Sequence, residues 1–392
     1  MRWCVPGVAT SSARMGKSRL EPLIQGLGDS STEVKLSAAR ALARIHPKSA
    51  GNRLSPLKSH ADPAVRVYAT FGWVLSDPKN LGKILTAAAP DRDAGARAAI
   101  LGILPEVAPD EAFAKSKAAI ADADWRVRLQ AAENLAKIKT KDSIGALVAL
   151  TGDGRRIIAK TAERELGALT GEHFSGKRAW QMWWDAKGDT FEFKDPASKP
   201  ASAPASGETG VFFGLPIDSD HVVFLIDRGA SMANKAPSGK GTKMDEVLEE
   251  LGRTLQSLPS GTRFNVLSYA NNVSAWEKKS KETNEKAIAS AIGYLKSQPL
   301  LGSKDIWGAL QAVIADPDID TVYLMSDGEP EDGLYVHYNR VVDHIRRINP
   351  LRKLVIHTVH VSDPAWSAAT AEWYRSQLRE IAKATGGKYV EK

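Results

Sequence analysis

Apolar residues in the first half of the chain return with a period of 31. Equal steps from Val34-Lys35 land on Val65-Arg66, Ala96-Arg97, Val127-Arg128 and Ile158-Ala159. Four positions on from each first member stand Ala38, Ala69, Ile100, Ala131 and Ala162, and eight positions on stand Leu42, Trp73, Leu104, Leu135 and Leu166. Offsets of 4 and 8 share one helical face, so each unit is predicted to hold an amphipathic helix. Five positions before each first member come Asp29, His60, Asp91, Asp122 and Asp153, a polar turn at the helix start. A second, shorter apolar segment precedes the turn, such as Leu20, Leu23, Ile24 and Leu27 in the first unit or Ile144, Leu147 and Val148 in the last. One helix pair cannot bury its apolar face alone, but five stacked pairs make a continuous core.

The pattern changes twice after residue 170. Trp180, Trp183 and Trp184 fall at i, i+3 and i+4, one face of a helix, and predict a cap whose rings close the open end of the array. The stretch DPASKPASAPASGETG is rich in Pro, Ala and Ser and reads as a linker at 195–210. Beyond it, apolar runs alternate with amphipathic helical segments. HVVFLID, RFNVLSYA, TVYLMSD and KLVIHTVHV read as strands, and GGKYV closes with a short one. MDEVLEELGRTLQSL, KAIASAIGYL, DIWGALQAVI, YNRVVDHIRRI and AEWYRSQLREIAKAT read as helices. Continuous apolar strands separated by helices imply a mostly parallel, doubly wound sheet with helices on both faces. Such sheets bind ligands at the carboxyl ends of their strands.

The units DSSTEVKLSAARALARI, ADPAVRVYA and DADWRVRLQAAENLAKI resemble HEAT-like repeats. The resemblance implies an all-α solenoid, and with its Trp-rich cap it spans 19–190. The base recurring at Lys35, Arg66, Arg97 and Arg128 has two readings. One is an Asp–Arg ladder between neighbouring turns, which stacking of equivalent residues favours. The other is a basic stripe for phosphates, which would make the array a nucleic-acid-binding surface.

The second half, 215–392, resembles a von Willebrand factor A (VWA) domain. FLID-RGASM is similar to the family's first-strand loop, Asp-x-Ser-x-Ser: Asp227 and Ser231 match, while Gly229 stands where the first Ser belongs. LMSDGEP resembles the family's Asp-Gly loop through Asp327. LGSKDIWGAL resembles the loop whose Thr completes the site; aligned through Ile306, that position holds Lys304, and a slip of one residue offers Ser303. The resemblance implies a metal-ion-dependent adhesion site, where Mg2+ or Mn2+ is held by carboxylate and hydroxyl oxygens and takes an acidic group of a partner.

Two carboxylates brought to about 4 Å repel by about 4 kcal/mol at an effective dielectric of 20, and something positive must offset this. In the family the ion does so. Here an ammonium, Lys304 on Asp227, Asp327 or both, predicts a degenerate site with weak or no metal, since protonated Lys has no acceptor. The rival arrangement keeps the ion on Asp227, Ser231, Ser303 and Asp327, with Lys304 turned outward.

The remaining features narrow the function classes. The 392 residues are 43% hydrophobic and 25% charged, ordinary for a globular chain of two or three domains. A net charge of +7 admits an acidic partner or a phosphate backbone and equally a solvated surface. Cys4 stands alone, so no intramolecular disulfide forms, and no run reaches the roughly 20 apolar residues of a membrane helix. Pro6 and Gly7 interrupt any signal-like segment, which points to the cytoplasm. Gly229-Ala230-Ser231-Met232-Ala233 faintly resembles a nucleophile elbow, but a polar loop follows instead of a helix, against a serine hydrolase. His357 and His360 face opposite sides of a strand and share no ion. Gly16-Lys17-Ser18 lacks the earlier glycine of a P-loop. No catalytic constellation is present, and the chain reads as a non-enzymatic scaffold or adaptor that binds other proteins.

Overall fold

The computed structural model describes residues 17–77, 81–82, 90–193, 210–328, 330–363 and 366–392. The expected linker at 195–210 lies outside the described residues except for Gly210. The chain divides into two compact units with the boundary near residue 205.

The first unit is helical. It runs through α1 (Lys17–Gly26), α2 (Thr32–Ile45), α3 (Gly51–Leu54), α4 (Pro63–Ser76), α5 (Ala94–Val107), α6 (Pro109–Ala119), α7 (Trp125–Ile138), α8 (Lys141–Leu150), α9 (Arg156–Thr170) and α10 (Lys177–Lys187). The repeat positions are the packing positions. Ala38, Ala69, Ile100, Ala131 and Ala162 are buried, as are Leu42, Leu104, Leu135 and Leu166. Val34, at the start of the array, is 41% exposed, whereas its counterparts Val65, Ala96 and Ile158 are fully buried.

The helix starts explain the polar turns. The side chain of Asp62 accepts from the backbone N–H of Ala64 and Val65, Asp93 from Ala96 and Asp124 from Arg126. These bonds satisfy N–H groups that a helix leaves open at its first turn. Between neighbouring repeats Arg66, Arg97 and Arg128 form the ladder expected of the four bases. Arg66 Nη2 meets Asp91 Oδ1 at 2.7 Å, Arg97 Nη2 meets Asp122 Oδ1 at 2.9 Å, and Arg128 Nε meets Asp153 Oδ2 at 2.7 Å. Each guanidinium also donates to a carbonyl of its own turn, at His60, Asp91 and Asp122. These three arginines are therefore committed to joining the repeats. At the end of the array Trp180 is fully buried, donates to the Phe174 carbonyl at 3.0 Å and stacks edge-on with Phe174 and Trp183.

The second unit is an α/β sandwich. Its strands are β1 (Val211–Phe212), β2 (Leu215–Pro216), β3 (His221–Asp227), β4 (Arg263–Tyr269), β5 (Val273–Ala275), β6 (Lys281–Glu282), β7 (Thr321–Ser326), β8 (Val355–His360) and β9 (Tyr389–Glu391). Its helices are α11 (Lys243–Gln256), α12 (Glu285–Ser297), α13 (Ile306–Ile314), α14 (Tyr338–Arg352) and α15 (Ala368–Thr385). The main sheet has the order β5-β4-β3-β7-β8-β9. Strands β4, β3, β7, β8 and β9 pair in parallel, while β5 and β6 pair antiparallel to β4. Alternation along β3 sends Phe224 and Ile226 to one face with Val247 and Leu251 of α11 and Leu295 of α12. Val223 and Leu225 go to the other face with Leu310 of α13, Val341 of α14 and Leu378 of α15.

Four short strands, β1, β2, β5 and β6, escape the sequence pattern because two or three residues carry no readable periodicity. The β1–β2 hairpin turns through Phe213 and Gly214, both with positive φ, and buries Phe212 with its ring centroid 5.1 Å from that of Phe224.

Candidate functional site

Parallel pairing of β3 with β7 brings two loop-starting acids together. Ile226 is in register with Met325, so Asp227 closes β3 beside Ser326, and Asp327 follows. Both carboxylates are completely buried. Asp227 Oδ1 accepts from the Gly229 N–H at 2.7 Å, and its Oδ2 accepts from Ser326 Oγ at 3.1 Å. Asp327 Oδ1 accepts from Ser231 Oγ at 3.0 Å. Ser231 sits on a one-turn helix, Ala230–Ala233, and its hydroxyl faces a carboxylate, not a histidine.

Lys304 reaches the site from the loop before α13. Its Nζ lies 2.9 Å from Asp327 Oδ1, and the residue is 4% exposed. Its carbonyl accepts from the N–H groups of Glu331 and Asp332, which ties its loop to the loop after β7. Ser303 turns elsewhere, with its hydroxyl on Asp332 Oδ2 at 3.0 Å. The structure thus brings together Asp227, Ser231, Asp327, Gly229 and Lys304, and leaves Ser303 out.

Space explains the glycines. A Cβ added at Gly229 would fall 2.7 Å from Lys304 Cε, and one added at Gly328 would fall 3.0 Å from Lys304 Nζ. The lysine stem fills the space that a serine side chain at 229 would need.

Two further residues complete the cluster, and sequence reading missed both. Lys243, the first residue of α11, is fully buried and places Nζ 2.8 Å from Asp327 Oδ2 and 2.9 Å from Asp363 Oδ2. Asp363 lies beyond β8 and also accepts from Asn234 Nδ2 at 3.0 Å. The Trp366 ring stands over the same ammonium, 5.5 Å from its centroid. A signal for Lys243 existed: a cation in a helix's first turn opposes the helix dipole and needs a reason to be there. For Asp363 the cue was its place just past the carboxyl end of a strand.

The charges act on one another. Burial pushes the Asp227 carboxyl up to about 6, with Lys304 opposing and Asp327 adding to the rise. Burial would raise Asp327 too, but Lys304 and Lys243 outweigh it and hold that carboxyl below its ordinary value. Burial works to lower Lys304, yet Asp227 and Asp327 keep its ammonium above the usual lysine value. The cluster is a network of opposed, buried charges.

Two other groups of titratable side chains lie in the α/β half. His357 and His360 are both buried, and burial depresses each to about 4. His357 stacks on Tyr323 and His360 on Trp366, so they do not converge. Asp220, His221 and Asp320 have ligand atoms within 4.8 Å of one another at the amino ends of β3 and β7. Asp320 there already accepts from the hydroxyls of Ser219 and Thr321. No helix among the described residues is long and apolar enough to cross a membrane.

Comparison with known proteins assigns a family likeness to each half of the sequence. A family profile described as "von Willebrand factor type A domain" matches residues 220–390, and one described as "HEAT repeats" matches 81–167. Human von Willebrand factor A domain-containing protein 3A is 26% identical over 177 residues, which cover 45% of this chain and 14% of that protein. Human von Willebrand factor A domain-containing protein 3B is 24% identical over 174 residues, covering 44% of this chain and 12% of that protein. The chain therefore matches only about one-seventh of the length of these curated relatives. Among solved structures, a von Willebrand factor type A protein from Catenulispora acidiphila aligns at 17% identity with a TM-score of 0.34, covering 44% of this chain and 38% of that one.

Proposed function

Starting from a chain that carries HEAT repeats followed by a von Willebrand factor type A domain, we propose that it is a non-enzymatic scaffold that binds other proteins, and that its strand-end site works without a resident metal. HEAT arrays and VWA domains are interaction modules, and the cluster at the sheet end holds no activated nucleophile. Ser231 donates to a carboxylate, and both lysines are engaged with acids.

The observation that carries the metal-free reading is the 2.9 Å contact of Lys304 Nζ with Asp327 Oδ1. Mg2+ and Mn2+ want a near-octahedral set of oxygens. Position 229 supplies no hydroxyl, position 304 supplies a donor with no lone pair, and Ser303 turns its hydroxyl to Asp332. The residues present do not fit the ion.

Calorimetric titration of the full chain with Mg2+ and Mn2+ tests this reading. The expected result is no saturable heat at micromolar ion. Micromolar binding that disappears in Asp227→Ala would sink it.

A further inference from the structure

Lys304 is not the only cation at Asp327, and the second one changes what the site is. Building on the metal-free reading above, we propose that Lys243 and Lys304 together form an internal replacement for a divalent ion, and that this replacement closes the site to an acidic residue of a partner.

Asp327 and Asp363 meet two ammonium groups, one on each oxygen of Asp327, and the Asp227 charge acts on Lys304 from beside them. Two unit charges on separate side chains equal the charge of one divalent ion. The geometry then links departures that look independent in the sequence. Lys304 needs Gly229, because a Cβ there would lie 2.7 Å from its Cε and 3.2 Å from its Cγ. It also approaches closely over Gly328. The missing Ser at 229 and the Lys at 304 are thus one exchange: a lost hydroxyl ligand and a gained cation.

The consequence for recognition follows from where the donors point. Lys243 directs its ammonium at Asp327, Asp363 and the Trp366 ring, and none of it is exposed. Lys304 is 4% exposed and bonded to Asp327. An ion on this face could offer an open coordination position to an incoming carboxylate. Two buried ammonium groups held by Asp327 and Asp363 offer none. A protein that docks on this rim therefore does so without inserting an Asp or Glu side chain.

The test converts the site back. Full-length Gly229→Ser/Lys243→Ala/Lys304→Thr removes both ammonium groups and restores hydroxyls, and Gly229→Ser/Lys304→Thr is the milder form. Mn2+ binding is read by electron paramagnetic resonance, and folding by circular dichroism with Mg2+ or EDTA. Wild type is expected to ignore the ions. The triple variant is expected to bind Mn2+ at least about ten-fold more tightly than wild type and to unfold about 3 °C or more higher with Mg2+ than with EDTA. Recovery of fold only on adding ion supports the proposal as well. Folded variants that bind Mn2+ no better than wild type overturn it, as does failure of both to fold with the ion present. Tight Mn2+ binding by wild type strikes the metal-free reading itself and is recognised separately.

Discussion

At the scale of single residues, Gly229 is the most informative position in the molecule. Its value is not backbone freedom but empty space beside the Lys304 stem. Gly229→Ser should therefore overpack a buried site and cost about 1–3 kcal/mol of stability, measured by urea unfolding. Adding Lys304→Thr should return most of that loss, because the two changes share one volume. Additive effects in the double variant would show that 229 and 304 do not compete. Much of this site was legible before any fold was known. Asp227, Ser231 and Asp327 stand in motifs at strand ends, and the misfit of Gly229 and Lys304 could be read from their positions. Lys243 and Asp363 carried only local cues, a cation at a helix start and an acid past a strand end, and nothing in the sequence says that the sheet brings both to one cluster.

At the scale of elements, the repeat register predicted where the arginines go. Equivalent turns stack, so an arginine of one unit meets the aspartate of the next, 25 residues on, in three successive rungs. The rungs differ in burial: the Arg66 and Asp91 side chains are 6% and 9% exposed, those of Arg97 and Asp122 26% and 20%. Arg66→Ala leaves a buried carboxylate without its cation and should cost about 3 kcal/mol, while Arg97→Ala should cost about 1 kcal/mol. The pH dependence carries a definite sign. Burial would raise Asp91, but the Arg66 hydrogen bonds and charge hold it below its ordinary value. A carboxyl depressed on folding contributes stability that is full above its unfolded value and fades as pH falls through the folded value. The wild-type urea midpoint should thus drop as pH falls below about 4, and Arg66→Ala should flatten that drop. An unchanged acid limb in the variant would show that the rung contributes nothing there. The elements that sequence reading missed are the short ones, β1, β2, β5 and β6, whose two or three residues find their place through tertiary pairing alone.

At the scale of the whole molecule, the two halves bury their apolar surface by different rules. The helical half closes a one-dimensional stack with Trp180, while the other half sandwiches a sheet between two helical layers. Neither core draws its pattern from the other, since the period of 31 ends before residue 170 and strand alternation begins at His221. Between them lies a stretch whose Pro, Ala and Ser offer no face to bury. Brief digestion with a protease of broad specificity should therefore cut first within about residues 195–210, where the composition offers little to pack, and leave a helical and an α/β fragment. Each fragment should keep a cooperative thermal transition. If the lysine pair supplies the charge at the sheet end, replacing EDTA with Mg2+ should move the transition of the α/β fragment by less than about 1 °C, because an ion that does not bind the folded state cannot shift its equilibrium. First cuts inside the repeats or the sheet, or a fragment that melts without cooperativity, would overturn the two-module organisation. A rise with Mg2+ in an otherwise cooperative α/β fragment would leave that organisation standing and return the ion to the site.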